Sequence, residues 1–106
     1  MAELIQILAN HQVKFTVRSG GHSPNPGWSS IGDDGVLFDM SVMSSISLSE
    51  DGKVASVGPG ARWEDVSTVA DQKGVTVVGG REPAVGVGGL VLGGKKPFNI
   101  AFVELK

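Results

Sequence analysis

Residues 13–23 read Val13-Lys14-Phe15-Thr16-Val17-Arg18-Ser19-Gly20-Gly21-His22-Ser23. Val13, Phe15 and Val17 alternate with Lys14, Thr16 and Arg18, which is the period of a half-buried β-strand. The strand empties directly into Ser-Gly-Gly-His-Ser. Glycine lets backbone N–H groups converge on a bound anion without Cβ clashes, so diphosphates are often cradled where a strand leaves into such a loop. Tight turns also want glycine, so one loop alone is a weak signal. The chain holds a second one, Gly79-Gly80-Arg81 through Val85-Gly86-Val87-Gly88-Gly89-Leu90 to Gly93-Gly94, and the doubling favours a nucleotide ligand.

Working upstream, Leu4, Ile5, Ile7 and Leu8 recur at helical spacing and predict a short amphipathic helix over residues 2–11, with His11 at its end complementing the helix dipole. Downstream, residues 24–35 carry Gly, Pro, Ser, Asn or Asp at ten of twelve positions, all but Trp28 and Ile31. That composition is a loop long enough to be functional. Val36-Leu37-Phe38 reads as a buried strand. Ile46 and Leu48, the turn Glu50-Asp51-Gly52-Lys53 and the return over Val54–Val57 form a β-hairpin in which Gly52 supplies the positive φ. Trp63, Val66, Val69 and Ala70 predict a second helix over 62–73, with Gly74 at the left-handed position beyond its C-cap. Val75–Val78 is expected to be a short strand, residues 79–94 a glycine-dense loop, and Phe98, Ile100 and Phe102 a strand-like alternation without an obvious partner.

The chain has 106 residues, 41% of them apolar and 19% charged. This supports one modest core and is too short for a multi-domain enzyme with its own substrate cavity. Nine Lys or Arg against eleven Asp or Glu give a net charge of -2. Only Lys95-Lys96 are adjacent, so no nucleic-acid or membrane-surface patch is expected. With no cysteine, disulfides, thiolate metal sites and a Cys nucleophile are excluded. The N-terminus has an early Glu3 and an apolar stretch broken by Gln6 and Asn10, unlike a signal peptide. No apolar run approaches the roughly 20 residues of a membrane span.

Two nucleotide signatures come close and fail. Gly89 with Gly94-Lys95 has P-loop spacing, but Lys96 stands where a magnesium-holding Ser or Thr belongs. Gly86-Val87-Gly88 would need a glycine at Val91 for the dinucleotide fingerprint. A hydrolase reading would join Ser19 or Ser23 with His22 and Asp39, yet no G-x-S-x-G elbow exists. His22 sits between glycine and serine at a strand end, which sets it apart from a satisfied core histidine; the competing reading is a solvated loop residue.

The motifs Val17–Ser23, Gly35–Ser41, Val57–Trp63, Gly79–Arg81 and Val85–Leu90 are similar in order and spacing to the FAD-binding domain of the berberine bridge enzyme-like oxidoreductases. That group lies within the p-cresol methylhydroxylase or vanillyl-alcohol oxidase superfamily. The wording Ser23-Pro24-Asn25-Pro26-Gly27-Trp28 most resembles fungal members associated with natural-product pathways. The resemblance implies an α+β fold, small β-sheets with flanking helices, and FAD as cofactor. It implies that the Arg18–Ser23 loop wraps the FAD diphosphate through the amides of Ser19, Gly20 and Gly21. His22 is implied as the covalent attachment point to the flavin 8α-methyl carbon, and Gly80, Gly86, Gly88 and Gly89 as cofactor-binding positions on the opposite side. Members attached twice carry a cysteine where this chain has Glu82, so a single covalent bond is expected.

The same resemblance sets the expected limits. Residues 1–94 correspond to part of the flavin domain and residues 95–106 form a divergent tail. The substrate domain and its catalytic base are absent, as in a truncated form of the enzyme. The expected function is an FAD-linked oxidoreductase of secondary-metabolite biosynthesis, passing a hydride from a small-molecule substrate to flavin, with dioxygen as the final acceptor. The alternative is a non-catalytic remnant or accessory fragment that associates through the surface its missing strands would cover.

Overall fold

In a computed structural model of the chain, residues 1–94 and 103–105 are described. The fold is α+β. Helix α1 (Ala2–Asn10) leads into β1 (Lys14–Arg18), β2 (Gly35–Asp39), β3 (Ile46–Leu48), β4 (Ala55–Val57), α2 (Trp63–Gln72), α3 (Val87–Leu92) and β5 (Val103–Leu105). β1 and β2 form a parallel two-stranded sheet in the register Lys14 opposite Gly35 to Arg18 opposite Asp39. The second sheet has the order β3-β4-β5, antiparallel then parallel.

Parallel pairing of β1 and β2 decides where the site lies. Parallel neighbours need a crossover of a dozen or more residues, and residues 19–34 supply it with a loop instead of a helix. The Ser-Gly-Gly-His turn is therefore the start of an obligatory crossover at the carboxyl end of β1. The β3/β4 hairpin closes as its sequence predicts: Ser49 N–H donates to the Val54 carbonyl at 2.9 Å, with Gly52 at φ 69°. Helix α2 ends at Gln72 with Lys73 as C-cap; Gly74 follows at φ 66°, and Val75 N–H reaches back to the Ala70 carbonyl at 3.1 Å.

The core lies between the hairpin, α2 and α3. Ala55, Val57, Ala61, Trp63, Val66 and Val87 form it, and Ile46, Leu48, Val77, Val85 and Leu90 pack against it.

Three expectations are corrected. Val75–Val78 is not a strand: both edges of β4 are taken by β3 and β5, and the β-branched alternation reflects Val77 packing on the core. The glycine-dense stretch contains α3, whose Val87, Leu90 and Val91 hold helical spacing around two glycines. The face of β1 is also reversed. Phe15 and Val17 are 39% and 51% exposed, while Thr16 and Arg18 are half-buried. Phe15 packs edge-to-face on Phe38, ring centroids 5.6 Å apart, but nothing among the described residues covers the pair fully. Phe98, Ile100 and Phe102 lie outside the described residues.

Candidate cofactor cleft

Two chain segments that are distant in sequence meet at the end of β1. Arg62 on one side of Gly86 forms an isolated bridge with it, through Trp63 N–H to the Val85 carbonyl at 3.1 Å and Val87 N–H to the Ala61 carbonyl at 2.9 Å. The Arg62 guanidinium also donates to the Ala84 carbonyl. This fixes Gly86 directly against Gly20: a Cβ on Gly20 would fall on the Gly86 nitrogen and lie 2.8 Å from its Cα, and a Cβ on Gly86 would fall on Gly20 N and Ser19 Oγ. Both positions must be glycine for the backbones to touch. Ser19 Oγ donates to the Pro59 carbonyl at 2.6 Å, tying the turn to the segment that follows β4.

Gly21 has φ 66°, a left-handed residue after the extended strand, and its missing Cβ makes room for the Arg18 stem, whose Cδ would be 3.0 Å away. Arg18 Nη2 in turn donates to Asp39 Oδ2 at 2.7 Å across the sheet. Asp39 Oδ1 accepts from Ser41 N–H at 3.0 Å. The Arg18 hydrogen bond first, and the Ser41 backbone next, lower the Asp39 carboxyl from 3.8 to about 2. The Arg18–Asp39 pair therefore props the turn from beneath while charged.

A cleft of about 380 Å³ opens where these parts meet, within the size range of small-molecule sites. Arg18, Ser19, Gly20, Gly21, His22 and Ser23 line one side, and Val85, Gly86, Gly89 and Leu90 another. Among the described residues, nothing accepts a hydrogen bond from the N–H of Ser19, Gly20 or Gly21. Successive N–H groups around a left-handed residue make an anion-binding nest. A diphosphate fits this wall, which offers donors and, through the glycines, no side chain to obstruct them.

Of the residues expected at the site, Gly80 and Gly88 stand apart from the lining. Gly80 lies against the Trp63 indole, where a Cβ would sit 2.5 Å from Cδ1, and a Cβ on Gly88 would sit 2.9 Å from the Pro59 carbonyl oxygen and 3.3 Å from Ser19 Oγ. Each permits close packing one layer behind the cleft. The hydrolase grouping has no geometry behind it, since Ser19 is bonded to Pro59 and Asp39 to Arg18. Val17, Trp28, Ser29 and Leu90 also line the cleft and were not singled out from the sequence. Trp28 carried one legible signal, a large aromatic in a loop with no core at hand.

Comparison with known proteins agrees with this geometry. The family model for the FAD binding domain matches residues 1–96. The chain is 54% identical over 91 residues to the FAD-dependent monooxygenase yanF of Aspergillus niger, covering 86% of this chain and 16% of that protein. It is 50% identical over 93 residues to the FAD-dependent monooxygenase macF of Penicillium terrestre, covering 88% and 18%. The crystal structure of 6-hydroxy-D-nicotine oxidase from Arthrobacter nicotinovorans superposes with a TM-score of 0.69 at 31% identity, over 78% of this chain and 18% of that one. The chain thus spans less than a fifth of the length of these relatives. Matched by that family model over residues 1–96, the chain belongs to the FAD binding domain family, and its cofactor is FAD.

Proposed function

We propose that this chain is the flavin-holding part of an FAD-linked oxidoreductase of the type found in fungal natural-product biosynthesis, with residues 1–94 as the flavin-binding unit and 95–106 as a divergent tail whose β5 pairs with β4. FAD supplies the redox chemistry, accepting a hydride from a small-molecule substrate and yielding it to dioxygen. The residues of this chain bind and orient it. The amides of Ser19, Gly20 and Gly21 receive the diphosphate oxygens, Gly86 and Gly89 keep the opposite wall open, and Arg18 and Ser23 flank the turn. His22 is the attachment point: a neutral imidazole nitrogen has the lone pair needed to bond the 8α-methyl carbon. His22 would thus hold the flavin by a single bond at the rim of the cleft, and the bound FAD would supply the two-electron chemistry.

The observation that carries this reading is the meeting of Gly20 with Gly86 beside the N–H groups of Ser19, Gly20 and Gly21, which have no acceptor among the described residues. To test it, the chain is produced with FAD and precipitated with acid. Yellow colour should stay with the wild-type protein and be lost from His22→Ala. Colour that washes off the wild type rules out covalent attachment, and failure of the native chain to retain FAD rules out the binding reading.

A second reading is favoured by α1, which has no buried residue: a non-catalytic accessory piece of such an enzyme that associates through this layer. It predicts association through this layer with no FAD retained, whereas a chain that retains FAD, or that stays a monomer in sedimentation, argues against it.

A further inference from the structure

The geometry points to Trp28 as a stacking wall for a planar ring of the bound dinucleotide, an inference that rests on the FAD reading above. Trp28 lines the cleft together with Gly21, His22 and Ser29, yet it is 74% exposed. The other aromatic rings among the described residues are accounted for: Phe15 and Phe38 pack on each other, and Trp63 is 3% exposed within the core. Among the described residues, Trp28 is the most exposed aromatic ring.

The loop that carries it is held in place. Gly27, at φ 79° with nothing within 4 Å of a would-be Cβ, turns the chain into Trp28. The Trp28 N–H donates to the Asn25 carbonyl at 3.3 Å, and Asn25 N–H donates to Ser23 Oγ at 3.3 Å. Ser29 Oγ donates to the Gly21 carbonyl at 3.4 Å, fastening the next residue to the glycine turn itself. The indole is thus anchored to the same backbone whose amides face the diphosphate. An aromatic face offered beside a phosphate nest suits a heteroaromatic ring attached to that phosphate, and stacking of this kind is tolerant of which ring it meets. The isoalloxazine and adenine rings share that chemistry.

The test uses the full 106-residue chain labelled with nitrogen-15. It has two tryptophans, so two indole N–H resonances are expected, assigned with Trp28→Leu. Adding FAD should move the Trp28 resonance through ring-current shielding and leave that of Trp63 nearly in place. FMN and ADP, added separately, then identify the ring, since a shift with FMN marks the isoalloxazine and one with ADP the adenine. In a His22→Ala background, where attachment does not intervene, Trp28→Leu should weaken FAD binding by roughly 5- to 100-fold in equilibrium dialysis. Because Trp28 is mostly exposed, this substitution leaves the core untouched. If FAD binds but the Trp28 resonance and the affinity stay unchanged, the stacking role is overturned and the FAD reading stands. If FAD does not bind at all, both fall.

Discussion

Single residues at the cleft divide into those that close the fold and those that line the opening. Gly20 belongs to the first group. A methyl there meets the Gly86 backbone, which has no rotamer through which to retreat, so Gly20→Ala should destabilise by about 1–3 kcal/mol. Urea denaturation should show a lower midpoint at unchanged slope. Asp39 makes a different prediction. Its carboxyl is lowered from 3.8 to about 2 chiefly by Arg18, so the pair contributes stability at and above the ordinary carboxylate range. That contribution is lost as pH falls from about 3.8 toward 2. Both side chains are partly exposed, which keeps the contribution small; the direct readout is the Asp39 carboxyl titration by NMR, expected to return toward 3.8 in Arg18→Ala. The Ser-Gly-Gly-His turn was legible because a second glycine-rich stretch, residues 79–94, repeats its composition, whereas one such loop alone also fits a tight turn. The place of Trp28 was less legible, because loop composition says nothing about which exposed side chain a crossover brings to the rim of the cleft.

Secondary elements were readable where local chemistry set their ends and obscure where tertiary packing did. Asp51-Gly52 and Gly74 announce a hairpin and a helix end because positive φ is a local demand. Helix α3 hid itself, since Gly88 and Gly89 are poor helix formers retained for reasons lying outside the helix. Those reasons differ, and the difference is testable. Alanine at either position gains about 0.5–1 kcal/mol of backbone entropy relative to glycine in a helix. At Gly88 the new Cβ would lie 2.9 Å from the Pro59 carbonyl, whereas at Gly89 it meets nothing within 4 Å. Gly88→Ala should therefore lower the melting temperature and Gly89→Ala should hold or raise it. Gly89 nevertheless lines the cleft, so its alanine variant should bind FAD more weakly while remaining fully folded. If both variants melt alike, packing behind the cleft is not what preserves Gly88. Val75–Val78 misled in the opposite sense: Val77 packs against the core while Val78 is exposed, and a strand needs a free neighbour as well as alternation.

At the scale of the molecule, the alternation in β1 was legible but the side it turns to solvent was not, because facing depends on what lies beyond the pair β1 and β2. Leu4 and Ile7 of α1 are 55% and 53% exposed, and Phe15 and Val17 of β1 are 39% and 51% exposed. Ile5 and Leu8 take the inner side of α1, so the helix presents apolar residues outward as well as inward. Apolar surface gathered on one layer tends to find a covering, and in dilute solution the nearest one is another copy of the chain. Sedimentation should therefore show association that grows with concentration. Leu4→Gln/Ile7→Gln replaces two exposed residues one helical turn apart with good helix formers, so it should suppress that association without altering far-UV circular dichroism or the melting transition. Both positions lie outside the cleft lining, so FAD retention should be unchanged in the double variant. Association that persists undiminished would place the adhesive surface elsewhere, on the sheet edges that have no strand partner among the described residues, where backbone groups offer a second route to pairing.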